Sequence, residues 1–267
     1  MELTKNKFKA ALQGDQTLWG LWLGLANTSC AEISASAGFD WLLIDGEHGP
    51  FELQTMQHHL QAIAAYEVSP IIRVEEGRTA LIKRVLDIGA QTILVPMVDT
   101  AEQARELVLD VNYPPAGRRG MGTALARAAR WNRIPGYSKI ANQEICLIIQ
   151  VETVEAMQNL QEIAAVPGID GIFIGPTDLS ASMGHIGNAD HPDVVAAIEQ
   201  GIETINKSGK AAGLLSVNIK AARHYESKGA KFIGVGVDTL LLANATKQLA
   251  DLVKNNTPSE QNGSSAY

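Results

Sequence analysis

Four apolar runs in this chain end in groups able to move protons or hold charge. One leads into Asp45-Gly46-Glu47-His48, one ends on Arg73, one on Gln150-Val151-Glu152, and one passes through Gly175-Pro176-Thr177 to Asp178. Glu152 and Asp178 present carboxylate oxygens at consecutive run ends, and an all-oxygen pair with room for water and a chelating substrate suits Mg²⁺ or Mn²⁺. Both acids also precede helical runs, where acids are favoured in the first turn, so helix capping is the competing reading. His48 is the natural proton carrier because histidine is the side-chain type suited to proton transfer near neutral pH. Taken alone, it reads equally well as a satisfied structural histidine. A guanidinium at Arg73 beside a metal would stabilise the oxygen charge that develops when a ketone becomes an enolate. Pairing of Arg73 with Asp45 across neighbouring strand ends is the alternative. The backbone N–H groups of Thr177 and Asp178 open a helical run and point toward any ligand carboxylate, which suits the docking of a 2-oxo acid.

Absences narrow the chemistry. Lysines such as Lys83, Lys210 and Lys231 lie in helices, turns or strand entries, never inside a strand, which disfavours a Schiff base. The runs ending in Ser216-Val217-Asn218 and Val237-Asp238 lack a Gly-rich phosphate loop, so an unphosphorylated substrate is expected. Neither a Walker loop nor a dinucleotide fingerprint is present, and no nucleotide cofactor is implied.

These groups need a scaffold that gathers strand ends, and the chain has one written into its periodicity. Strands are predicted at Leu18 to Leu25, Trp41 to Gly46, Pro70 to Val74, Thr92 to Val98, Cys146 to Val151, Gly171 to Gly175, Ala212 to Ser216 and Phe232 to Val237. Helical patterns alternate with them: Ser29 to Ala37, Phe51 to Ala65, Thr79 to Ile88, Ala101 to Val111, Val154 to Ala164, Pro192 to Ser208, Ile219 to Lys228 and Thr239 to Val253. Gly38, Gly89 and Gly229 each follow a helical run, as a helix stop feeding the next strand should. Eight such units in 267 residues predict a single α/β domain, a (β/α)8 TIM barrel over residues 1–254, with active groups at the carboxyl ends of the strands.

Two segments stand outside the units. Asn112 to Ser138, carrying Arg118, Arg119, Arg127, Arg130 and Arg133, forms an extended basic loop after the fourth strand and is expected on the substrate side. Residues 255–267 are polar and rich in Gly and Ser, the composition of a frayed tail. A net charge of −7 offers no footprint for a nucleic-acid backbone, and no apolar run approaches the length of a bilayer span. The start of the chain lacks the apolar segment of a signal peptide, and Cys30 and Cys146 sit in apolar surroundings as reduced thiols, so a cytoplasmic protein is expected.

Several motifs in fixed order also resemble one family. Leu21-Trp22-Leu23-Gly24-Leu25, Phe39-Asp40-Trp41-Leu42-Leu43-Ile44-Asp45-Gly46-Glu47-His48, Tyr113-Pro114-Pro115-Ala116-Gly117, Ala126-Arg127-Ala128 with Arg130-Trp131-Asn132-Arg133-Ile134-Pro135, and Gly175-Pro176-Thr177-Asp178-Leu179-Ser180 are similar to segments of the HpcH/HpaI class II pyruvate aldolases. The resemblance implies a divalent-metal barrel (Mg²⁺, Mn²⁺ or Co²⁺) that cleaves 4-hydroxy-2-oxoheptanedioate reversibly to pyruvate and succinate semialdehyde in aromatic-compound catabolism. By motif it implies His48 as proton acceptor, Arg73 as transition-state stabiliser and Glu152 and Asp178 as metal ligands. Gln150, Thr177 and Asp178 become substrate contacts, and Asp87 an acid that raises the basicity of the histidine. Asp87 closes a helix near the amino-terminal face, so the resemblance requires it to reach His48 across a subunit contact. A homohexamer with an exchanged last helix is implied as well. Thr177 departs from the alanine of the pattern, which leaves substrate identity open. A 2-keto-3-deoxy sugar acid aldolase shares the pyruvate half of such a site, and a non-catalytic 2-oxo-acid-binding barrel is the remaining alternative.

Overall fold

A computed structural model describes residues 1–254; the tail expected over 255–267 lies outside the described residues. The eight expected strands are all present: β1 (Leu18–Leu23), β2 (Trp41–Asp45), β3 (Ser69–Arg73), β4 (Thr92–Val95), β5 (Cys146–Val151), β6 (Gly171–Ile174), β7 (Ala211–Leu215) and β8 (Phe232–Val237). Every neighbour is parallel and β8 pairs back onto β1, so the sheet closes into a barrel without edges. The protein is a (β/α)8 TIM barrel.

Helices in chain order are α1 (Lys7–Ala11), α2 (Thr28–Ala35), α3 (Leu53–Ile63), α4 (Thr79–Asp87), α5 (Ala101–Val111), α6 (Tyr137–Glu144), α7 (Val154–Gln158), α8 (Leu160–Ala164), α9 (Pro176–Ser182), α10 (Pro192–Lys207), α11 (Ile219–Ser227) and α12 (Asp238–Lys254). Two short helices, α1 and α6, had no counterpart in the sequence reading. The helix expected over Val154 to Ala164 is broken at Asn159, whose side-chain N–H donates to the Asp99 carbonyl at 2.8 Å and draws the chain out of register. β4 stops at Val95 rather than Val98, because Met97 turns into a left-handed conformation with φ 56°.

Inside the barrel, large rings are accommodated by missing side chains. A Cβ at Gly20 would lie 2.1 Å from the Trp41 ring, and one at Gly213 would lie 2.3 Å from the Phe232 ring. Glycine at these two positions lets Trp41 and Phe232 fill the interior, where Phe8 of α1 packs edge-on against both and plugs the amino-terminal end. A larger apolar layer between strands and helices, including Leu42, Ile44, Ile72, Ile93, Ile149, Ile172 and Ile174, holds the outer ring in place.

The basic excursion is placed differently from expectation. It follows α5 rather than β4, so it connects a helix to the next strand and lies on the amino-terminal side, away from the strand ends. Arg127 there donates to the Ile88 carbonyl at the end of α4, and Arg119 donates to Asp87. The reason is topological: a strand-to-helix loop opens on the carboxyl face, whereas a helix-to-strand loop opens on the opposite one.

Candidate active site

Four strand ends deliver the expected groups to one face. β2 and β3 run side by side with Asp45 opposite Arg73 in register, and the two side chains meet in a fork. Arg73 Nε donates to Asp45 Oδ1 at 2.8 Å and Nη2 to Oδ2 at 2.6 Å, while Nη1 lies 2.7 Å from Glu47 Oε2. Asp45 Oδ1 also accepts the backbone N–H groups of Glu47 and His48, which winds the chain after β2 into a tight turn. The ion pair considered from the sequence is therefore real, and it holds the guanidinium in place.

Electrostatics follow from this packing. Burial acts to raise the affinity of Asp45 for a proton, but the hydrogen bonds and charge of Arg73 outweigh it and keep the carboxyl below its ordinary range. Burial lifts the Glu47 carboxyl above its usual range, against the pull of Arg73 and His48, with Asp45 and Asp178 adding repulsion. His48 Nε2 lies 3.8 Å from Glu47 Oε2, and its ring is largely open to solvent. Glu47 was not among the expected site residues, although it lies between two of them in the Asp45-Gly46-Glu47-His48 motif.

Glu152 and Asp178 do not cap the helices that follow them. Thr153 caps α7 through its own hydroxyl, and α9 begins at Gly175 and Pro176 without a side-chain cap. Glu152 is buried, accepts the Met97 N–H on Oε1 at 3.0 Å and bonds the Gln150 amide through Oε2. Its carboxyl is raised by burial, partly offset by those two donors. Thr177 and Asp178 are exposed at the start of α9. The left-handed Met97, which aims its N–H at Glu152, was not foreseen; nothing in its side-chain type announces that conformation.

A cavity of about 320 Å³ collects most of these groups, but Glu47 and the expected metal ligand Glu152 are not among its lining residues. Its polar side carries Asp45, His48, Arg73, Gln150, Thr177 and Asp178, and its apolar wall includes Trp22, Phe173 and Leu215. The Arg73 guanidinium lies 5.5 Å from the centre of the Trp22 ring. A larger hollow of about 700 Å³ between α4 and α5 contains Arg118, but that guanidinium is already paired with Glu106 and Asp110.

Asp87 is not among the cavity residues. It ends α4 toward the amino-terminal face and pairs with the buried Arg119 at 2.8 Å. Another set of potential ligands lies where the loop after α9 meets the first turn of α10, with ligand atoms of His185, His191 and Asp193 all within 4.8 Å of one another.

The chain that carries this arrangement has known relatives. The family model for HpcH/HpaI aldolase/citrate lyase matches residues 18–245. The chain belongs to this family. Within it, the chain is 54% identical to a hydroxypyruvate/pyruvate aldolase of Pseudomonas aeruginosa over 267 residues, covering 100% of both. It is 55% identical to a 4-hydroxy-2-oxo-heptane-1,7-dioate aldolase of Escherichia coli, covering 92% of this chain and 94% of the relative. A crystal structure of a family protein from Burkholderia cenocepacia superposes with a TM-score of 0.90 at 38% identity, covering 94% of this chain and 100% of the other.

Proposed function

We propose that this chain is a divalent-metal-dependent aldolase that cleaves 4-hydroxy-2-oxoheptanedioate reversibly to pyruvate and succinate semialdehyde. The observation that carries the reading is the meeting of His48, Arg73, Gln150, Thr177 and Asp178 around one cavity, with Glu152 bonded beside it to Gln150. The all-oxygen donor set fits a divalent cation, Mg²⁺ or Mn²⁺ before Co²⁺. Glu152 is a buried carboxylate whose neighbour Gly175 leaves it space, since a Cβ there would lie 2.5 Å from Oε2. Glu152 and Asp178 hold the ion, which when bound supplies the Lewis acidity that draws charge onto the ketone oxygen.

His48 takes the proton. In cleavage it accepts the C4 hydroxyl proton as the C3–C4 bond breaks; in synthesis it removes a methyl proton of pyruvate. Arg73, kept rigid by Asp45 and Glu47, carries its positive charge to the enolate oxygen without reorganising as that charge develops. Asp45 thus acts as a positioning residue for Arg73. The first-turn N–H groups at Thr177 and Asp178 lack acceptors within the helix and receive the substrate carboxylate, with Gln150 as a further contact. Asp87 serves the histidine of a neighbouring copy, within a cytoplasmic homohexamer whose last helices are exchanged. Support for that assembly comes from α12, where Leu240, Leu241, Leu242, Leu249, Leu252 and Val253 are all uncovered.

A second reading makes hydroxypyruvate an alternative nucleophile, favoured by the end-to-end similarity to a relative named for that substrate. The two are separated by incubating the enzyme and Mg²⁺ or Mn²⁺ with pyruvate or hydroxypyruvate against an aldehyde panel that includes succinate semialdehyde. Fastest turnover of pyruvate with succinate semialdehyde is the expected result. Preference for hydroxypyruvate, or for an aldehyde from a 2-keto-3-deoxy sugar acid, would replace the substrate assignment; failure of every 2-oxo acid would overturn the aldolase reading.

A further inference from the structure

The loop joining α9 to α10 and the first turn of α10 bring together three ligand-type side chains that the aldol chemistry does not use. His185 Nε2 lies 3.6 Å and His191 Nδ1 3.7 Å from the same oxygen, Asp193 Oδ2. The two imidazoles stack face to face, with centroids 3.5 Å apart and planes inclined by 14°. His191 Nδ1 accepts the Asp193 N–H and so caps α10; a cation bound through Nδ1 has to displace that cap bond. None of the three is fully buried, and Asp193 is 70% exposed on its side chain, so an ion can enter from solvent.

From this geometry we infer that His185, His191 and Asp193 form a second cation site, selective for borderline metals such as Zn²⁺ or Ni²⁺ over Mg²⁺. Two imidazoles and one carboxylate match the ligand preference of late transition metals, whereas Glu152 and Asp178 offer oxygen alone. A nitrogen lone pair lies in the plane of its ring, so two stacked rings cannot both aim at one ion. Binding therefore fans the rings apart. Gly184 and Gly187, with φ of 84° and 74°, flank His185 and supply the backbone freedom for that rotation. The bound ion ties the turn after α9 to the first turn of α10, and α9 carries Asp178 at its other end.

The test uses the full-length protein stripped of metal by chelation and then titrated with Zn²⁺ and, separately, Mg²⁺ by calorimetry. To isolate this site, both titrations are repeated on Glu152→Gln/Asp178→Asn, which lacks the carboxylate pair of the proposed active site. One Zn²⁺ per chain should bind that double variant, while Mg²⁺ should not. Adding His185→Gln should weaken the remaining Zn²⁺ binding by about 100-fold or more, since even outer-shell partners of a metal contribute 10- to 100-fold. His191→Asn, which keeps a good capping side chain for α10, should do the same without lowering the melting temperature of the metal-free protein. Zinc binding that survives either substitution undiminished, or equal affinity for Mg²⁺, would overturn the site; loss of aldolase activity bears only on the other reading.

Discussion

Asp45 and Arg73 face each other across β2 and β3 and join through two parallel hydrogen bonds, 2.8 Å and 2.6 Å long. Both side chains are largely buried, at 7% and 9% exposure, so the guanidinium is fixed in a dry environment before any substrate arrives. A charge that need not reorganise during reaction is worth more than one that must.

That relationship predicts that Arg73→Lys fails to substitute for arginine, because an ammonium cannot span both carboxylate oxygens. Steady-state kinetics should show kcat reduced by about 100- to 1000-fold, the usual cost of removing one preorganised donor to a developing oxyanion. Asp45→Asn should lower kcat in the same direction and also depress the melting temperature, since it leaves a buried guanidinium half-paired. Unchanged kcat in both variants would contradict the role given to the fork.

Glu152 governs a pH effect in the metal-free protein. Burial raises its carboxyl in the folded state, so folding favours the protonated form. Its contribution to stability is full below the unfolded carboxylate value, about 4.3, and is lost as pH rises through the higher folded value. Glu152→Gln should therefore melt higher than wild type near pH 7.5 without metal, and the difference should close toward pH 4. The buried, unpartnered Gln150 Oε1 can accept the new amide N–H. A melting difference that widens on acidification would reverse the sign of this account.

On the proposed reading, Asp178→Asn removes the charge of one of the two carboxylate ligands while leaving in place the backbone N–H that receives the substrate carboxylate, so pyruvate binding is weakened through the metal. Calorimetry should show Mn²⁺ affinity and metal-dependent pyruvate affinity falling together, each by about tenfold or more. If pyruvate affinity fell while Mn²⁺ affinity held, Asp178 would be a substrate contact alone.

The uncovered leucines of α12 predict assembly. Leu241→Glu combined with Leu249→Glu, at positions 56% and 60% exposed in the single chain, should shift light scattering from a high oligomer to smaller species without loss of barrel structure by circular dichroism. An unaltered mass would mean that α12 is not the contact.

Much of this architecture was legible because strands in a parallel barrel are buried on both faces and read as unbroken apolar runs. β5 and β8 fall on the residues expected from that pattern, and Arg73, Glu152 and Asp178 were singled out by reading at or just past the ends of such runs. What escaped depends on conformation rather than residue type. The left-handed Met97, the break at Asn159 and the short plug α1 arise from tertiary contacts that no local periodicity records. The basic segment from 112 to 138 was misplaced because its length suggested function, while the helix preceding it decides which face it opens on. Glu47 was visible in the motif, but only packing shows that it shares Arg73 with Asp45.

The central claim is that His48 deprotonates a 2-oxo acid whose charge is received by Arg73 and an ion held at Glu152 and Asp178. Exchange of the pyruvate methyl protons in deuterated water, followed by proton NMR without any aldehyde, isolates that step. Wild-type protein with Mg²⁺ or Mn²⁺ should exchange them readily, and both His48→Ala and the chelated wild type should lose that exchange. Undiminished exchange in the chelated protein, or inactivation by borohydride in the presence of pyruvate, would contradict it.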